Sequence, residues 1–384
     1  MLLQTHKYSN QLMTHTNASG IKKTLDKSLE NLGNFEKCAL LQYPRHINIG
    51  DHMIWLGTIF YLTNILKTKI TYASSAEEFS QAEMDEKIGD SPIILHGGGN
   101  LGDIWYGHQT FREYVISQNH HRPVIVMPQT IYFQDKSYLK KSAKIFNSHP
   151  NLTLCVRDRY SYDFALKHFS SCRIILAPDM AFQMADMSYF SVTKTPEKSI
   201  LYLKRTDKEL NQSFLPELMK ISNLVIADWI SYHQKWSLGK PNSKFRQILA
   251  KLYREVWQRG LATPQELIDR RMWLKTTTEN IDFNSLYNPS MHRLSLSFLH
   301  SGIYQFQKYP LIITSRLHGH ILCVLLNIPH IFLPNSYHKN QGFYETWSCN
   351  IPFCKFVSDI TQIEATIEEF SEKYDLFVSD IKSG

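Results

Sequence analysis

A chain of 384 residues, 43% hydrophobic and 20% charged, is long enough for two or three domains with their own cores and too apolar to be disordered. Its formal net charge of +7 is spread without a dense Lys/Arg block, which excludes a nucleic-acid-binding tail and leaves attraction to anionic substrates open. The six cysteines (Cys38, Cys155, Cys172, Cys323, Cys349, Cys354) form no C-x-x-C pair, so buried reduced thiols are expected rather than disulfides or zinc.

The opening stretch, MLLQTHKYSNQLMTHTN, lacks the apolar core of a signal peptide. The longest apolar region, Leu311–Leu333, is interrupted by Arg316, His318 and His320 and is no membrane span. A cytoplasmic protein is expected, with peripheral contact at the inner face of the membrane left open.

Residues 1–36 are polar and weakly patterned, an N-terminal arm with one short helix near Ile21–Leu32. From residue 37 a βα rhythm sets in. Strands are predicted over Cys38–Gln42, Ile70–Ala73, Pro92–His96, Val124–Met127, Leu152–Val156 and Ile174–Leu176. Pro128-Gln129 closes the fourth, and Gly97–Asp103 is the loop leaving the third. Helices are predicted over His52–Leu66 with Asp51 as its cap, Gln109–Asn119, Lys136–Asn147 and Ser161–His168. Glu77–Met84 reads as a polar linker or short helix. This alternation describes one parallel α/β domain over 37–190.

Residues 191–198 have the composition of an interdomain linker. A second series, 199–359, opens with strands Ser199–Leu203 and Asn223–Ala227. Phe245, Ile248, Leu249, Leu252 and Val256 mark an amphipathic helix over 242–259, followed by helical blocks Pro264–Leu274 and Leu294–Lys308. Then comes a βαβ unit: strand Leu311–Thr314, a helix containing Ile321–Leu326, strand Ile331–Leu333 and the polar turn Asn335–Asn340. A helix over Ile360–Tyr374, within the closing segment 360–384, ends the chain.

Ligands of open α/β sheets bind outside the carboxyl ends of the strands. Arg157, Lys204, Arg205 and Arg316 all stand at such exits, where guanidinium forks suit carboxylate or phosphate groups. The bland alternative is local pairing with Asp158, Asp179 and Asp207. His318 lies at a helix start beside Arg316, a place that suits a proton donor or acceptor near an anion. Gly98, Gly99 and Asn100 follow a strand and allow close backbone approach, though a triple glycine also makes a plain turn. Asp51 is a cap first and a hydroxyl-binding group second. Asn335, Ser336 and Lys339 leave the last strand at the same edge. No zinc set, G-x-S-x-G or Asp-x-Asp pair is present, so metal-free chemistry without a cofactor is expected.

These blocks resemble the polysaccharide pyruvyl transferase family. The resemblance runs over most of residues 38–348 and rests on Asn48–His52, Leu95–Asn100, Val156–Arg159 with Ser161, and Ala177–Asp179. Thr314-Ser-Arg-Leu-His-Gly-His320 and Asn335-Ser-Tyr-His-Lys-Asn340 are its most specific parts. It implies two Rossmann-like domains facing across a cleft, like the GT-B glycosyltransferases. It also implies phosphoenolpyruvate as donor, and a sugar, oligosaccharide or lipid-linked glycan as acceptor, for a pyruvate ketal in exopolysaccharide or surface-glycan biosynthesis. On this basis His318 is assigned acid–base work and Arg316 an anion clamp. Arg205 and Lys204 are assigned to the phosphate, Arg157 to closing the cleft, and Asn335, Ser336 and Lys339 to the donor pocket. Gly98, Gly99, Asn100 and Asp51 fall on the acceptor side. The first 36 residues and Tyr232–Asn288 fall outside the family pattern, and the basic, aromatic insertion Trp229–Arg271 is open as an acceptor-shaping, homodimer or membrane-contacting element. The rival readings are a GT-B glycosyltransferase using a nucleotide sugar and a non-catalytic carbohydrate-binding scaffold.

Overall fold

The computed structural model describes residues 15–187, 198–229 apart from 206, 220 and 222, then 268, 271–275 and 282–376. The expected helix over 242–259, most of the linker 191–198 and most of Trp229–Arg271 lie outside the described residues.

Two parallel sheets carry the chain. The first holds β1 (Lys37–Leu41), β2 (Lys69–Ser74), β3 (Ile93–Leu95), β4 (Gly98–Gly102), β5 (Val124–Tyr132), β6 (Leu152–Val156) and β7 (Arg173–Leu176). Its order is β2-β1-β3-β5-β6-β7, with β4 beside the far half of β5. The second holds β8 (Ile200–Leu203), β9 (Leu224–Ala227), β10 (Leu311–Thr314), β11 (His330–Phe332) and β12 (Cys354–Phe356), in the order β12-β11-β10-β8-β9. Counted from its own first strand, each sheet steps back once and then runs forward, so each has one point where the direction of winding reverses.

Ten α-helices are described: α1 (Ala18–Leu29), α2 (Ile49–Phe60), α3 (Gln81–Ile88), α4 (Tyr106–Gln118), α5 (Lys136–Ser148), α6 (Arg159–His168), α7 (Pro289–Phe306), α8 (Leu317–Leu326), α9 (Lys339–Phe343) and α10 (Ile363–Tyr374). Helices α3 to α6 bury Met84, Ile88, Val115, Ile116, Phe146 and Ala165 on the outer face of the first sheet. Ile363 and Phe370 of α10 do the same on the second. Between the sheets lies one shared core in which Ile54 and Trp55 of α2 join Leu296 of α7, Ile321 of α8, Leu40 of β1 and Leu201 of β8. Helix α2 is therefore buried on nearly every side, with Asp51 alone of its residues partly exposed. Gly57 explains how closely it packs: a Cβ there would fall 1.9 Å from the Met180 carbonyl oxygen.

Several expectations need correction. The cap of α2 is Asn48, whose Oδ1 accepts from the Gly50 N–H at 3.2 Å; Asp51 falls in the first turn instead. The glycine block is a strand, β4, rather than a loop. It exists because β5 runs on through Pro128, absorbing the missing N–H in a register shift between Val126 and Gln129. At Gly102 a left-handed φ of 137° and a Cβ position 1.7 Å from the Tyr132 carbonyl oxygen leave room for glycine alone. Strand β12 and helix α9 went unread, being too short to show a period.

Candidate active site

The two reversal points open onto one cavity. In the first sheet the reversal lies between β1 and β3, and in the second between β8 and β10. The segments leaving these four strands supply His46–Asn48 and Asp51, Gly99 and Asn100, Arg205, Asp207 and Glu209, and Arg316–His318 to the wall of a cavity of about 430 Å³. Asp228, Trp229, Lys339, Trp105 and His108 complete it. That volume lies within the roughly 300–1,000 Å³ typical of small-ligand pockets.

The second sheet contributes the cations. Arg316 sits at the N-cap of α8, its N–H held by Thr314 Oγ1 at 3.0 Å. Its Nε and Nη2 form a fork on Asp228, at 2.7 and 2.6 Å, leaving Nη1 with only a 3.5 Å contact to Asp207. Arg205 forks Asp207 at 2.8 and 3.1 Å and reaches Glu209 at 2.9 Å. Lys339 lies 2.7 Å from the same Glu209 oxygen, whose partner oxygen accepts from Trp105 Nε1 at 3.2 Å. Burial disfavours charge on both Glu209 and Lys339. Glu209 is nevertheless held below the usual carboxylate range by Lys339 and Arg205. Lys339 is lowered by burial, helped by Arg205 and Arg157 and only partly offset by Glu209. One carboxylate shared by two cations accounts for both directions.

Short backbone constraints set this geometry. A Cβ on Gly319 would meet Thr314 Oγ1 at 2.5 Å, so glycine lets α8 start directly beneath β10. The first-turn N–H groups of α8 have no intrahelical acceptor, and Leu317 and His318, which carry two of them, form part of the cavity wall. Asn340 ties the exits of β10 and β11 together, donating to Ser315 O at 2.7 Å and Leu333 O at 2.8 Å.

His318 is the link between the sheets. It is carried by α8, yet its ring lies against α2 and Asp179 of the first half. A Cβ on Gly50 would stand 2.4 Å from His318 Nδ1, and Nε2 lies 3.4 Å from Asp179 Oδ2, a contact without hydrogen-bond alignment. Asp179, fully buried, is also paired with Arg157 Nη1 and accepts from the Ala181 N–H at 2.9 Å. Burial opposes its charge, but His318, Arg157 and that N–H hold its pKa well below the usual carboxylate value. Arg157 Nη2 has no hydrogen-bond partner among the described residues; a Cβ on Gly99 would lie 2.9 Å from it and 2.8 Å from Lys339 Nζ. Glycine at 99 thus brings a thin strip of backbone over two cations. Asp51 accepts from Asn48 at 2.8 Å and lies 3.4 Å from His46. Burial acts against its charge, while His46, His318, His96 and His108 together hold its pKa well below the usual range.

A model of the polysaccharide pyruvyl transferase family matches residues 48–337, a span that includes every residue lining this cavity except His46, Ile47 and Lys339. The chain belongs to this family. It is 28% identical over 353 residues to a Bacillus subtilis relative, EpsO, provisionally named a pyruvyl transferase; the match covers 90% of this chain and 95% of that one. It is 26% identical over 328 residues to pyruvyl transferase 1 of Schizosaccharomyces pombe, covering 81% of this chain and 70% of the relative. The crystal structure of an uncharacterised Klebsiella pneumoniae protein superposes with a TM-score of 0.53 at 18% identity, over 88% of this chain and 98% of the other. It shares the α/β fold.

Seen within the family, the sequence-derived residues fall into three groups. Arg316, His318, Arg205, Lys339, Asp51, Gly99 and Asn100 line the cavity. Arg157 and Asn335 stand behind the wall: Arg157 under Gly99, Asn335 donating to Glu209 at 3.4 Å. Lys204, Ser336 and Gly98 are not brought to the cavity. Lys204 turns to Glu217 at 3.1 Å, Ser336 is exposed and contributes its N–H to Glu209 O, and Gly98 packs against Ile54. Local pairing, the bland alternative, holds for all four strand-exit cations: Arg157 with Asp179, Arg205 with Asp207, Arg316 with Asp228 and Asp207, and Lys204 with Glu217. Asp179, Asp207, Glu209, Asp228 and Trp105 were not read as site residues. Asp179 and Asp228 each follow a strand, a signal that could have found them; Glu209 and Trp105 carry none. His320, read as a packed neighbour, is buried beside His330 and Cys354. Among the described residues no helix is long and apolar enough to cross a membrane.

Proposed function

We propose that the protein transfers the pyruvyl group of phosphoenolpyruvate to two hydroxyls of a glycan sugar, forming a ketal and releasing phosphate. The observation that carries this reading is the meeting of His318 with Arg316, Arg205 and Lys339 at one cavity between the two sheets. Two Rossmann-like halves facing across that cavity, GT-B-like, with a first domain over 37–190 and a second over 199–359, fit this arrangement. Phosphoenolpyruvate carries a carboxylate and a phosphate on neighbouring carbons, so its binding calls for several cations close together. Arg316 Nη1 and the first-turn N–H groups of α8 are the donors available to one group; Arg205 and Lys339 serve the other.

In this reading C3 of the donor takes a proton, C2 becomes electrophilic, and a sugar hydroxyl adds there and loses its proton. A second hydroxyl then displaces phosphate from C2 and closes the ketal. His318 delivers and removes protons, with Gly50 leaving room for its ring and the Asp179 carboxylate, 3.4 Å away, stabilising the imidazolium when it forms. Arg316 stabilises the anionic charge that moves onto phosphate. Asp51, Asn48 and Asn100 face the same space from the first sheet and suit sugar hydroxyls. The setting that fits this work is cytoplasmic, at or near the inner face of a membrane, where surface-glycan precursors are built.

The test is phosphate release from phosphoenolpyruvate in the presence of a panel of glycans and lipid-linked sugars, with the ketal identified by NMR. Release should require an acceptor. His318→Ala should lower turnover by about 10²–10⁴-fold while leaving donor affinity nearly unchanged. Turnover of a nucleotide sugar with no release from phosphoenolpyruvate would contradict the reading.

A further inference from the structure

Behind the catalytic helix lies a second cluster of reactive side chains that the proposed chemistry does not use. His320 sits on α8, His330 opens β11 and Cys354 opens β12; all three are buried, and their ligand-type atoms lie within 4.8 Å of one another. His320 Nδ1 is 2.7 Å from His330 Nε2 and 3.6 Å from Cys354 Sγ. We propose that His320, His330 and Cys354 form a structural zinc site that ties α8 to β11 and β12.

The outer atoms of the two rings are arranged as metal-bound histidines require. His330 Nδ1–H donates to the Ile328 carbonyl at 2.8 Å, which leaves the Nε2 lone pair aimed into the cluster. His320 Nε2 lies 2.9 Å from Ser348 Oγ; donating there leaves its Nδ1 lone pair aimed at the same point. Two lone pairs facing each other are stable only with a proton or a cation between them. The Cys354 thiol beside the pair supplies the third donor that a cation requires and a hydrogen bond between the rings does not.

Zinc bonds of about 2.0–2.1 Å to nitrogen and about 2.3 Å to sulfur, at tetrahedral angles, put N and S roughly 3.6 Å apart and the two nitrogens roughly 3.3 Å apart. The first separation is present between His320 and Cys354. The second needs the rings to part by roughly half an ångström, a shift within rotamer adjustment. Two imidazoles and a thiolate are a zinc donor set rather than one for magnesium or calcium. Cys323, three residues beyond His320 on α8, is also buried, but it lies outside the group of three ligand atoms, which leaves the fourth position to a water molecule. None of the three ligands lines the cavity, so the site takes no part in substrate binding. It fixes the helix whose first turn carries Leu317 and His318.

The test uses the full chain, purified without added chelator or metal-affinity tag. Elemental analysis should find about one zinc per chain, lost from His330→Ala and Cys354→Ser and kept in Cys349→Ser, which removes a cysteine outside the cluster. Refilling the stripped protein with cobalt(II) should give visible bands of tetrahedral cobalt and a near-ultraviolet thiolate-to-cobalt band, both weaker in Cys354→Ser. If that variant does not fold, the wild-type spectrum decides alone: a thiolate-to-cobalt band supports the site and its absence overturns it. Folded wild type that holds no metal and gives no cobalt spectrum would show the cluster to be a hydrogen-bonded histidine pair only. Zinc that persists in both cluster variants would also refute the assignment.

Discussion

The two sheets share a winding pattern but offer the cavity different chemistry. The second supplies Arg205, Arg316 and Lys339, together with the acids that hold them in place. The first supplies Asn48, Asp51, Gly99, Asn100 and the rings of His46 and His108. Cations grouped at one edge suit a small anion; short polar groups grouped at the other suit hydroxyls. On the proposed reading one topology serves two tasks, and His318, carried by the second half and packed against the first, links them. The lesson is that strand order fixes where a ligand goes, whereas the residues leaving the strands fix which ligand.

The most damaging change on this account is at the crossing. Beyond the loss expected for His318→Ala, Gly50→Ala should lower turnover on the order of 10²-fold without touching a charged group, because its methyl displaces the ring that acts in proton transfer. Steady-state rates checked beside a melting curve would show it. If Gly50→Ala were fully active, the packing of His318 against the first half would not matter to the reaction.

A change on the cationic side alone comes next. Asn340→Ala leaves the Ser315 and Leu333 carbonyls without their buried donor, so urea denaturation should show a loss of about 2–4 kcal/mol. Because the tie lies under Arg316, affinity for the donor should fall along with stability. A loss of stability with donor affinity intact would separate the tie from the site.

The acid side of the comparison can be read by pH. Burial lowers His52 and His96 to about 3 and His292 to about 4. Their folded values lie below the unfolded one, so between roughly pH 6.5 and 4 the unfolded chain takes up protons that the folded chain refuses. Stability should be full above that window and fall as pH drops through it, by up to about 1.4 kcal/mol per pH unit for each histidine. Chemical denaturation at stepped pH measures the slope; a flat profile would mean these rings are not held neutral.

The smallest effects belong to Lys204 and Ser336. Lys204→Ala and Ser336→Ala should change turnover and donor affinity less than about threefold, since surface pairs such as Lys204–Glu217 contribute little. A large effect of either would place a second binding surface outside the cavity described.

Much of this was readable from residues alone, and what was not has physical causes. The strands that flank the site, Leu152–Val156 among them, showed because continuous apolar runs between turn signals are unambiguous. Arg316 and His318 showed because charged groups directly after such a run have few structural uses. Strand β4 was hidden: glycines have low strand preference, and it forms only because β5 is long enough to flank it. Glu209 and Trp105 were hidden because they meet only in three dimensions, 104 residues apart in sequence. The zinc candidates His320, His330 and Cys354 were hidden for the same reason, with His320 separated from its partners by 10 and 34 residues.

The central claim is that the cationic edge binds phosphoenolpyruvate through Arg316. Calorimetric titration of phosphoenolpyruvate into the wild type and into Arg316→Ala, with uridine diphosphate as control and an acceptor glycan present in a parallel series, addresses it directly. The account predicts saturable phosphoenolpyruvate binding that Arg316→Ala abolishes and no comparable response to uridine diphosphate. Binding of uridine diphosphate with no response to phosphoenolpyruvate, with or without acceptor, would contradict it.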